Sequence, residues 1–454
     1  METIIRKALA TADADYTEIR LSGGKTTHIA YVGEELESLR EQASLGGCVR
    51  ALVNGGWGFC SFNDLDHLQD YVARAGNQAR LVGGGPHRLA PVDAVTASIP
   101  ASFDEDPDDV TLSEKERLCR TYNQLLLKSS PKIQSTNVTC ADSKGYVLFA
   151  STEGALIRQE MVFCGVSLTA VARDGSDVQA AHHSEGDLRG FQVCRNLEIR
   201  CEEIARRAVD MLTAPKVKAG RYDVVLNPQL CGVFVHEAFG HLSEADFLHQ
   251  NPRLQEIMKP GRRFGPERLN IVDDATLAGA AGSYAYDAEG VPSQRTHLIR
   301  DGKLSTRLHS RETAAAMGET PTGNARALGY AYQPIVRMSN TFMEPADASF
   351  ESMIEGIDQG IYACGFLGGQ TDMEMFSFSA EEAFMVRGGR VIERVRDVVL
   401  TGNVFETMMN MDAIGVDLRL YGGLGGCGKA GQSSLRVSDG GPHVRVRDVV
   451  VGGR

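Results

Sequence analysis

The chain has 454 residues, of which 43% are hydrophobic and 23% charged, and its formal net charge is −12. This composition is typical of folded globular proteins and excludes bulk disorder, and the negative charge argues against nucleic acid or an anionic membrane as a general partner. The N-terminal residues contain no long apolar run, no segment approaches the ~18 apolar residues of a membrane span, and the ten cysteines form no CxxC pair. We therefore expect a cytoplasmic protein with reduced thiols and no contact with nucleic acid or membrane.

The first half of the chain has the pattern of an antiparallel meander flanked by helices. Residues 3–11 and 64–80 are predicted to be helical. Three short alternating runs between them, separated by paired glycines, are predicted strands: residues 16–21, 28–32 and 48–53.

A segment rich in Gly, Pro and Asp, residues 83–110, is predicted to be a linker. A helix over 113–129 follows, and Ser113 with Glu116 is predicted to form its capping box. Strand-like runs then extend from 133 to 171, and a helix-period segment over 194–212 closes this half.

We place a domain boundary near 215–220, because Pro215 ends that last helical segment and a buried-strand pattern opens at 222. The prediction is an α+β fold with two domains. Residues 1–215 form an N-terminal domain with an α/β meander, and residues 216–454 form a β-rich C-terminal domain that carries the zinc-binding helix described next.

Two histidines and a glutamate, His236, Glu237 and His241, lie within one short apolar segment. Imidazole nitrogens suit zinc, and a neighbouring carboxylate can accept a proton from water. The histidines are one residue farther apart than in HExxH, so their rings would point about 140° apart on a regular α-helix. Both reach one ion only if the helix widens, and we predict a π-type turn at Phe239-Gly240. The alternative is a core helix with two hydrogen-bonded histidines.

Catalytic zinc usually takes three protein ligands, so this segment is one ligand short. Glu244 and Asp246 are nearby candidates. Cys427 is a distant one, surrounded by glycines in the run from Gly422 to Lys429. Glycines allow the backbone to approach something closely, which is unusual around a thiol that only fills a core.

The glycine run also matches the first part of a phosphate-binding loop. Ala430, however, stands where Ser or Thr would hold magnesium, and strand-like residues 431–437 follow where a helix is required. Nucleotide binding is therefore the weaker interpretation of this run.

Several segments in order resemble the TldD/PmbA family of metallopeptidases, also described as modulators of DNA gyrase, and most closely its TldD-type catalytic subunit. The matching segments are HEAFGHLSEADF (236–247), NIVDD (270–274), AYDAEGVPSQ (285–294), TPTGNAR (320–326), GIYACGFLGGQ (360–370) and GGCGKAGQS (425–433).

The resemblance implies one zinc per chain, bound by His236, His241 and Cys427, with Glu237 as general base. Glu244 and Asp246 are predicted to support the ligating histidines, which usually donate their other N–H to a carboxylate or carbonyl. The chain departs from the family at Ala245, where many members have Gly, and at Cys364, where many have Pro.

The resemblance also implies a function. We expect a metallopeptidase that hydrolyses peptide bonds of unfolded peptides or small labile proteins, enclosed in an assembly with a PmbA-type partner subunit or in a homodimer. The alternative is a non-catalytic peptide-binding subunit with structural zinc. Glu237 argues against that alternative, because a structural zinc site needs no general base.

Overall fold

The structure, a computed structural model, describes residues 1–85, 87–372 and 374–452. Pro86 of the predicted linker and the last two residues of the predicted C-terminal domain lie outside the described residues. Within the described part of the chain, no helix combines the length and apolar character needed to cross a membrane.

The described residues of the N-terminal half form one seven-stranded sheet and four α-helices. The helices are α1 (Glu2–Leu9), α2 (Leu68–Val82), α3 (Leu112–Lys128) and α4 (Glu198–Thr213). The strands are β1 (Tyr16–Val32), β2 (Glu35–Val53), β3 (Gly56–Phe62), β4 (Thr96–Ile99), β5 (Ile133–Ser151), β6 (Leu156–Asp174) and β7 (Asp177–Asp187). Their order is β3-β2-β1-β5-β6, with antiparallel neighbours, and β6 pairs in addition with β4 in parallel and with β7 antiparallel.

The predicted meander is present, but its strands are longer than the sequence pattern indicates. β1 and β2 contain 17 and 19 residues, so the paired glycines lie inside the ladder and not at turns. A Cβ atom on Gly24 would lie 2.6 Å from the carbonyl oxygen of Lys144 on β5. The glycine therefore allows the two strands to approach closely. In the sequence alone, a glycine with this role has the same pattern as a glycine in a turn.

Two further local predictions are wrong. α3 begins one residue earlier, with Thr111 as its cap accepting a hydrogen bond from the Glu114 N–H, so Ser113 and Glu116 form no capping box. The Glu116 carboxylate instead accepts a hydrogen bond from the hydroxyl of Tyr31. The predicted linker is also not wholly irregular, because it contains the edge strand β4.

The C-terminal half contains six short α-helices and nineteen strands among the described residues. The helices are α5 (Pro228–Phe234), α6 (Ala245–Leu248), α7 (Pro252–Ile257), α8 (Arg311–Met317), α9 (Phe350–Glu355) and α10 (Val404–Met409). The strands are β8 (Gly220–Leu226), β9 (Ile271–Asp274), β10 (Arg295–Arg300), β11 (Lys303–Leu304), β12 (Ala325–Arg326), β13 (Ile335–Val336), β14 (Asn340–Met343), β15 (Gln359–Cys364), β16 (Gly368–Asp372), β17 (Met375–Ser379), β18 (Glu382–Arg387), β19 (Arg390–Val395), β20 (Val399–Asn403), β21 (Met411–Ile414), β22 (Arg419–Tyr421), β23 (Cys427–Lys429), β24 (Gln432–Leu435), β25 (Ser438–Gly441) and β26 (Val444–Gly452).

These strands form a nine-stranded sheet, a six-stranded sheet and two two-stranded ribbons. The larger sheet has the order β16-β17-β20-β26-β8-β15-β18-β19, with β21 paired to β26, and the smaller has the order β11-β10-β9-β14-β25-β22. The ribbons are β12-β13 and β23-β24. The α+β class with a β-rich C-terminal half is confirmed, and the division into two domains stays a prediction.

The helix α5 packs closely onto β25, and this contact positions the site. A Cβ atom on Gly232 would lie 2.4 Å from the backbone nitrogen of Gly440. The apolar residues that follow, among them Phe234 and Phe239, belong to the largest hydrophobic core of the protein. The motif segment is therefore anchored in the core, and its polar residues lie on the remaining face of the same turns.

Candidate active site

The predicted widened turn is present. α5 begins after Asn227, whose side-chain oxygen accepts a hydrogen bond from the Leu230 N–H, and it continues into a π-helical turn over Val235–Gly240. The His241 N–H donates to the carbonyl of His236, five residues earlier. This wider turn brings both imidazoles to one side, which a regular α-helix would not do.

Gly240 is required for its lack of a side chain and not for an unusual backbone angle. Its φ of −57° is ordinary for a helix, but a Cβ atom at this position would lie 2.1 Å from the sulfur of Met338. The glycine therefore provides the space in which the π turn packs against the residues leading into β14.

His236, His241 and Cys427 converge. One potential ligand atom from each lies within 4.8 Å of the others. The imidazole centroids are 5.3 Å apart at an interplanar angle of 88°, and the His241 Nε2 lies 3.2 Å from the Cys427 Sγ. No other group of three such ligands is found in the described ranges.

The three side chains fit a zinc ion in their chemistry. His236 and Cys427 are buried, and the Nδ1 of His236 has no hydrogen-bond partner among the described residues. Burial would raise the pKa of the Cys427 thiol, but His236 and His241 lower it to about 5. The thiolate is the form that binds metals, and imidazole nitrogen and thiolate sulfur are both ligands that zinc binds in proteins.

Glu244 and Lys429 fix the orientation of His241. The Nδ1 of His241 lies 2.9 Å from the Oε2 of Glu244, which is itself 3.0 Å from the Nζ of Lys429. The Glu244 side chain is fully buried. Because Nδ1 is engaged by this carboxylate, Nε2 is the nitrogen that faces Cys427 and would serve as ligand.

Glu244 and Asp246, the other candidates for the third ligand, are not part of the three-ligand group. Glu244 contacts a histidine from outside the three-ligand group, and Asp246 lies 2.6 Å from the Nζ of Lys429. Glu244 thus contacts a predicted ligand directly, whereas Asp246 is connected to it only through Lys429 and Glu244. The alternative of a phosphate-binding loop does not fit, because Lys429 lies in a strand, is 6% exposed and directs its ammonium group at two carboxylates.

Two supporting residues were missed by the sequence reasoning, Lys429 and Arg337. The buried guanidinium of Arg337 donates to the backbone carbonyls of Cys427 at 2.6 Å and Gln432 at 3.2 Å, and so fixes the β23-β24 hairpin. The position of Lys429, two residues after the predicted ligand Cys427, could have indicated its role in the site. For Arg337 the local sequence gave none, since its partners are about 90 residues away.

Glu237 lies at the edge of the three-ligand group. Its Oε2 is 4.0 Å from the His241 Nε2, and its side chain is 38% exposed. A carboxylate in this position is beside the ligands without being one of them, and water and a substrate can reach it. Cys364, the extra thiol, lies at the end of β15, where burial raises its pKa to about 12, and the structure gives it no role.

Comparison with known proteins identifies the family. Three family models match in order: PmbA/TldA metallopeptidase domain 1 over residues 17–79, the central domain over 105–214 and the C-terminal domain over 219–453.

Relatives match along nearly the whole chain. A metalloprotease of Synechocystis sp. is 47% identical over 443 residues, which is 97% of this chain and 96% of that protein. A metalloprotease of Methanothermobacter thermautotrophicus is 40% identical, with coverage of 97% and 96%. A protein of Saccharolobus solfataricus named zinc metalloprotease TldD homolog is 28% identical, with coverage of 99% of both.

Solved structures share the fold. A candidate modulator of a DNA gyrase from Thermotoga maritima superposes with a TM-score of 0.81 at 18% identity, over 99% of this chain and 100% of that chain. TldE from Thermococcus kodakarensis superposes with a TM-score of 0.75 at 17% identity, over 100% of both chains.

Proposed function

The chain belongs to the PmbA/TldD metallopeptidase family, and from its site we propose that it is a zinc-dependent peptidase holding one zinc ion per chain at His236, His241 and Cys427. The observation that carries the proposal is the convergence of these three side chains within 4.8 Å. The zinc named for the Saccharolobus relative supports the choice of metal.

Each residue of the site has a separate role in the proposed hydrolysis of a peptide bond. Zinc, when bound, supplies a Lewis acid. Glu237 Oε2 accepts a proton from the attacking water and returns it to the leaving amine, as general base and then general acid. Glu244 holds His241 in one tautomer, and Lys429 keeps Glu244 ionised by pairing with it in the buried site.

We propose unfolded peptides or small labile proteins as substrates. Two of the three ligands are buried, with His236 3% and Cys427 5% exposed, and only the His241 side chain is partly exposed, at 22%. A folded domain would therefore not bring a peptide bond to them. An extended chain is thin enough to do so. An assembly with a PmbA-type partner or a second copy of this chain would enclose the site further.

The alternative proposal is a peptide-binding subunit with structural zinc. A half-exposed carboxylate beside the ligands argues against it, because a structural site is closed by four protein ligands and needs no proton acceptor.

The proposal is tested by incubating the zinc-loaded chain, alone and with a PmbA-type partner, with one protein in its folded form and in a permanently unfolded form. We expect cleavage of the unfolded form, loss of cleavage on removal of zinc and recovery when zinc is restored. Cleavage that persists after complete removal of the metal would overturn the proposal, as would no cleavage in either assembly.

A further inference from the structure

A cavity of about 380 Å³ lies between the N-terminal sheet and the C-terminal half. β1, β5 and β6 form one wall, and loop segments with the end of β24 form the other. Three arginines line it, Arg20 from the sheet and Arg326 and Arg436 from the opposite wall. We call it the arginine cavity.

The arginines of this cavity have no carboxylate partner within 4.0 Å in the described part of the chain. Arg20 donates to the carbonyl of Tyr332 at 2.7 Å, and Arg436 donates to the hydroxyl of Ser143 at 2.7 Å. Arg326 donates to two carbonyls, those of Met338 at 2.5 Å and Arg436 at 2.8 Å. Each guanidinium has five N–H donors, so these bonds leave several donors unused. Arg20 is only 5% exposed, and its buried Nε has no hydrogen-bond partner.

Two of the other buried arginines in the described residues are paired with carboxylates, whereas Arg337 is held by backbone carbonyls alone. The cavity is distinctive because three arginines without a carboxylate partner line one space. Arg50 lies 3.2 Å from Glu18 and 2.6 Å from Glu289. Arg311 contacts both oxygens of Glu153 at 2.8 Å. A buried arginine without a counter-ion is costly, because its desolvation is not offset by an opposite charge.

The pKa values show the same contrast between the arginines that are paired with carboxylates and those of the cavity. Burial would lower the pKa of Arg50, but Glu18 and Glu289 raise it above its ordinary value. In the arginine cavity, burial and the nearby Arg326 lower the pKa of Arg436 to about 10, and burial lowers that of Arg326. An anion bound in the cavity would stabilise the charged guanidinium groups and so raise these pKa values.

The remaining walls suit an organic anion. Leu21, Val147, Phe149 and Met161 supply apolar surface. The lining carboxylate Asp287 is already engaged, since its oxygens accept hydrogen bonds from backbone N–H groups of the loop that contains it and of β12. A carboxylate attached to a hydrophobic chain would thus find both charge and apolar contact.

The cavity adjoins the three-ligand group. Ser434 and Leu435 of β24 line it, and Leu435 is paired with Cys427 across the β23-β24 hairpin. Neighbouring strands are about 4.8 Å apart. A peptide held at the active site therefore has the cavity within reach of its adjacent residues.

We propose that the arginine cavity binds a carboxylate of the peptide substrate, either its C-terminus or an Asp or Glu side chain. The inference rests on the proposed function for the identity of the ligand as a substrate. It adds that this peptidase selects negatively charged peptides.

The test compares three fluorescent peptides of one apolar sequence: a C-terminal acid, the C-terminal amide, and the amide with one internal Glu. Their Kd values are measured by anisotropy with the full chain carrying Glu237→Gln, so that no peptide is consumed. We expect at least one acidic peptide to bind ~10-fold or more tightly than the neutral amide, since hydrogen bonds to a charged group are roughly twice as strong as those between neutral groups. Which acidic peptide binds tightly identifies the source of the carboxylate.

Arg326→Gln and Arg436→Gln should each reduce this selectivity at least ~3-fold, while Arg436→Lys, which keeps the charge, should retain part of it. Arg173→Gln is the control, because it removes an exposed arginine of β6. The ratio of the Kd values is the readout, since a general folding defect weakens acid and amide binding together. Equal Kd values for the three peptides, no binding of any of them, or selectivity unchanged in both Gln variants would each overturn the inference.

Failure of this inference differs from failure of the proposed function. If the wild-type chain cleaves the neutral amide and the acids equally well, only the role of the cavity is wrong. If carboxylate-selective binding is measured while no peptide is cleaved in any assembly, the cavity is confirmed as a binding site and the proposed peptidase activity is wrong.

Discussion

The Nε2 of His241 lies 3.2 Å from the Sγ of Cys427, although 186 positions separate them in the chain. The first directly follows a π-helical turn, and the second belongs to a two-stranded ribbon. Their meeting point is the basis of the proposed zinc site, and the predictions below follow from how each residue is held there.

Removal of one ligand should empty the zinc site. Purified wild-type protein should contain about one zinc per chain, and Cys427→Ala or His236→Ala should lose most of it, because two remaining protein ligands hold zinc weakly. Metal analysis after dialysis measures this. Cys231→Ala is a matched control, since Cys231 is a buried thiol outside the ligand group. Full zinc retention in Cys427→Ala would exclude that residue as a ligand.

Lys429→Met should weaken zinc binding although Lys429 is not a ligand. The substitution leaves the buried carboxylate of Glu244 without its ammonium partner, so His241 loses a well-oriented hydrogen-bond acceptor. Zinc affinity should fall about 10–100-fold, the usual effect of losing a residue that supports a ligand. Competition with a chelator measures the affinity, and Lys259→Met removes an exposed lysine as control. An unchanged affinity would show that Lys429 only fills space.

Gly240→Ala should destabilise the protein by about 1–3 kcal/mol, the range for overpacking a core. The new methyl group would lie 2.1 Å from the Met338 sulfur, so the turn or Met338 must move. Urea unfolding measures the loss, and Met338→Ala should recover part of it. Gly452→Ala is the control, because a Cβ there meets nothing within 4 Å. Equal stability of Gly240→Ala and wild type would contradict the packing account.

The stability of the metal-free protein should depend on pH in a defined way. Burial would raise the pKa of Cys427, but His236 and His241 lower it from 9.0 to about 5. Burial would lower the pKa of His241, but Cys427 and Glu244 raise it from 6.5 to about 10. The thiolate therefore contributes stability that is fully present above pH 9 and lost as pH falls through 5. The imidazolium contributes stability that is fully present below pH 6.5 and lost as pH rises through 10.

Summed, these two contributions make the free energy of unfolding rise from pH 5 to 6.5, stay level to pH 9 and fall towards pH 10. Urea unfolding of the metal-free wild type across this range measures the profile. Cys427→Ser should remove the rise at acidic pH. Identical profiles for the two proteins would refute the thiolate–imidazolium pair.

Local sequence patterns predicted part of the site well. The spacing of His236 and His241 required a wider helical turn, and such a turn is present because spacing along one helix is a local property. Cys427 followed from the family resemblance, and its glycine neighbours indicated a close backbone approach. A Cβ on Gly426 would in fact lie 2.5 Å from the carbonyl oxygen of Leu435.

Long-range relationships were not accessible in the same way. Arg337 supports the Cys427 backbone across 90 positions, and no periodicity or motif connects two such residues. The glycine pairs of β1 and β2 read as turns because sequence patterns do not distinguish a turn from close strand contact. The arginine cavity is formed only when the two halves of the chain meet, so neither half indicates it alone.

The most direct test of the central claim is the rate of peptide cleavage by Glu237→Gln. Gln keeps the size and polarity of Glu237, whose side chain is 38% exposed beside the ligands, but cannot accept a proton. Zinc content and peptide Kd should stay at wild-type values while turnover falls at least ~100-fold. Both proteins are assayed in the same assembly, with any required partner present. Cleavage by Glu237→Gln at the wild-type rate would contradict the proposed mechanism.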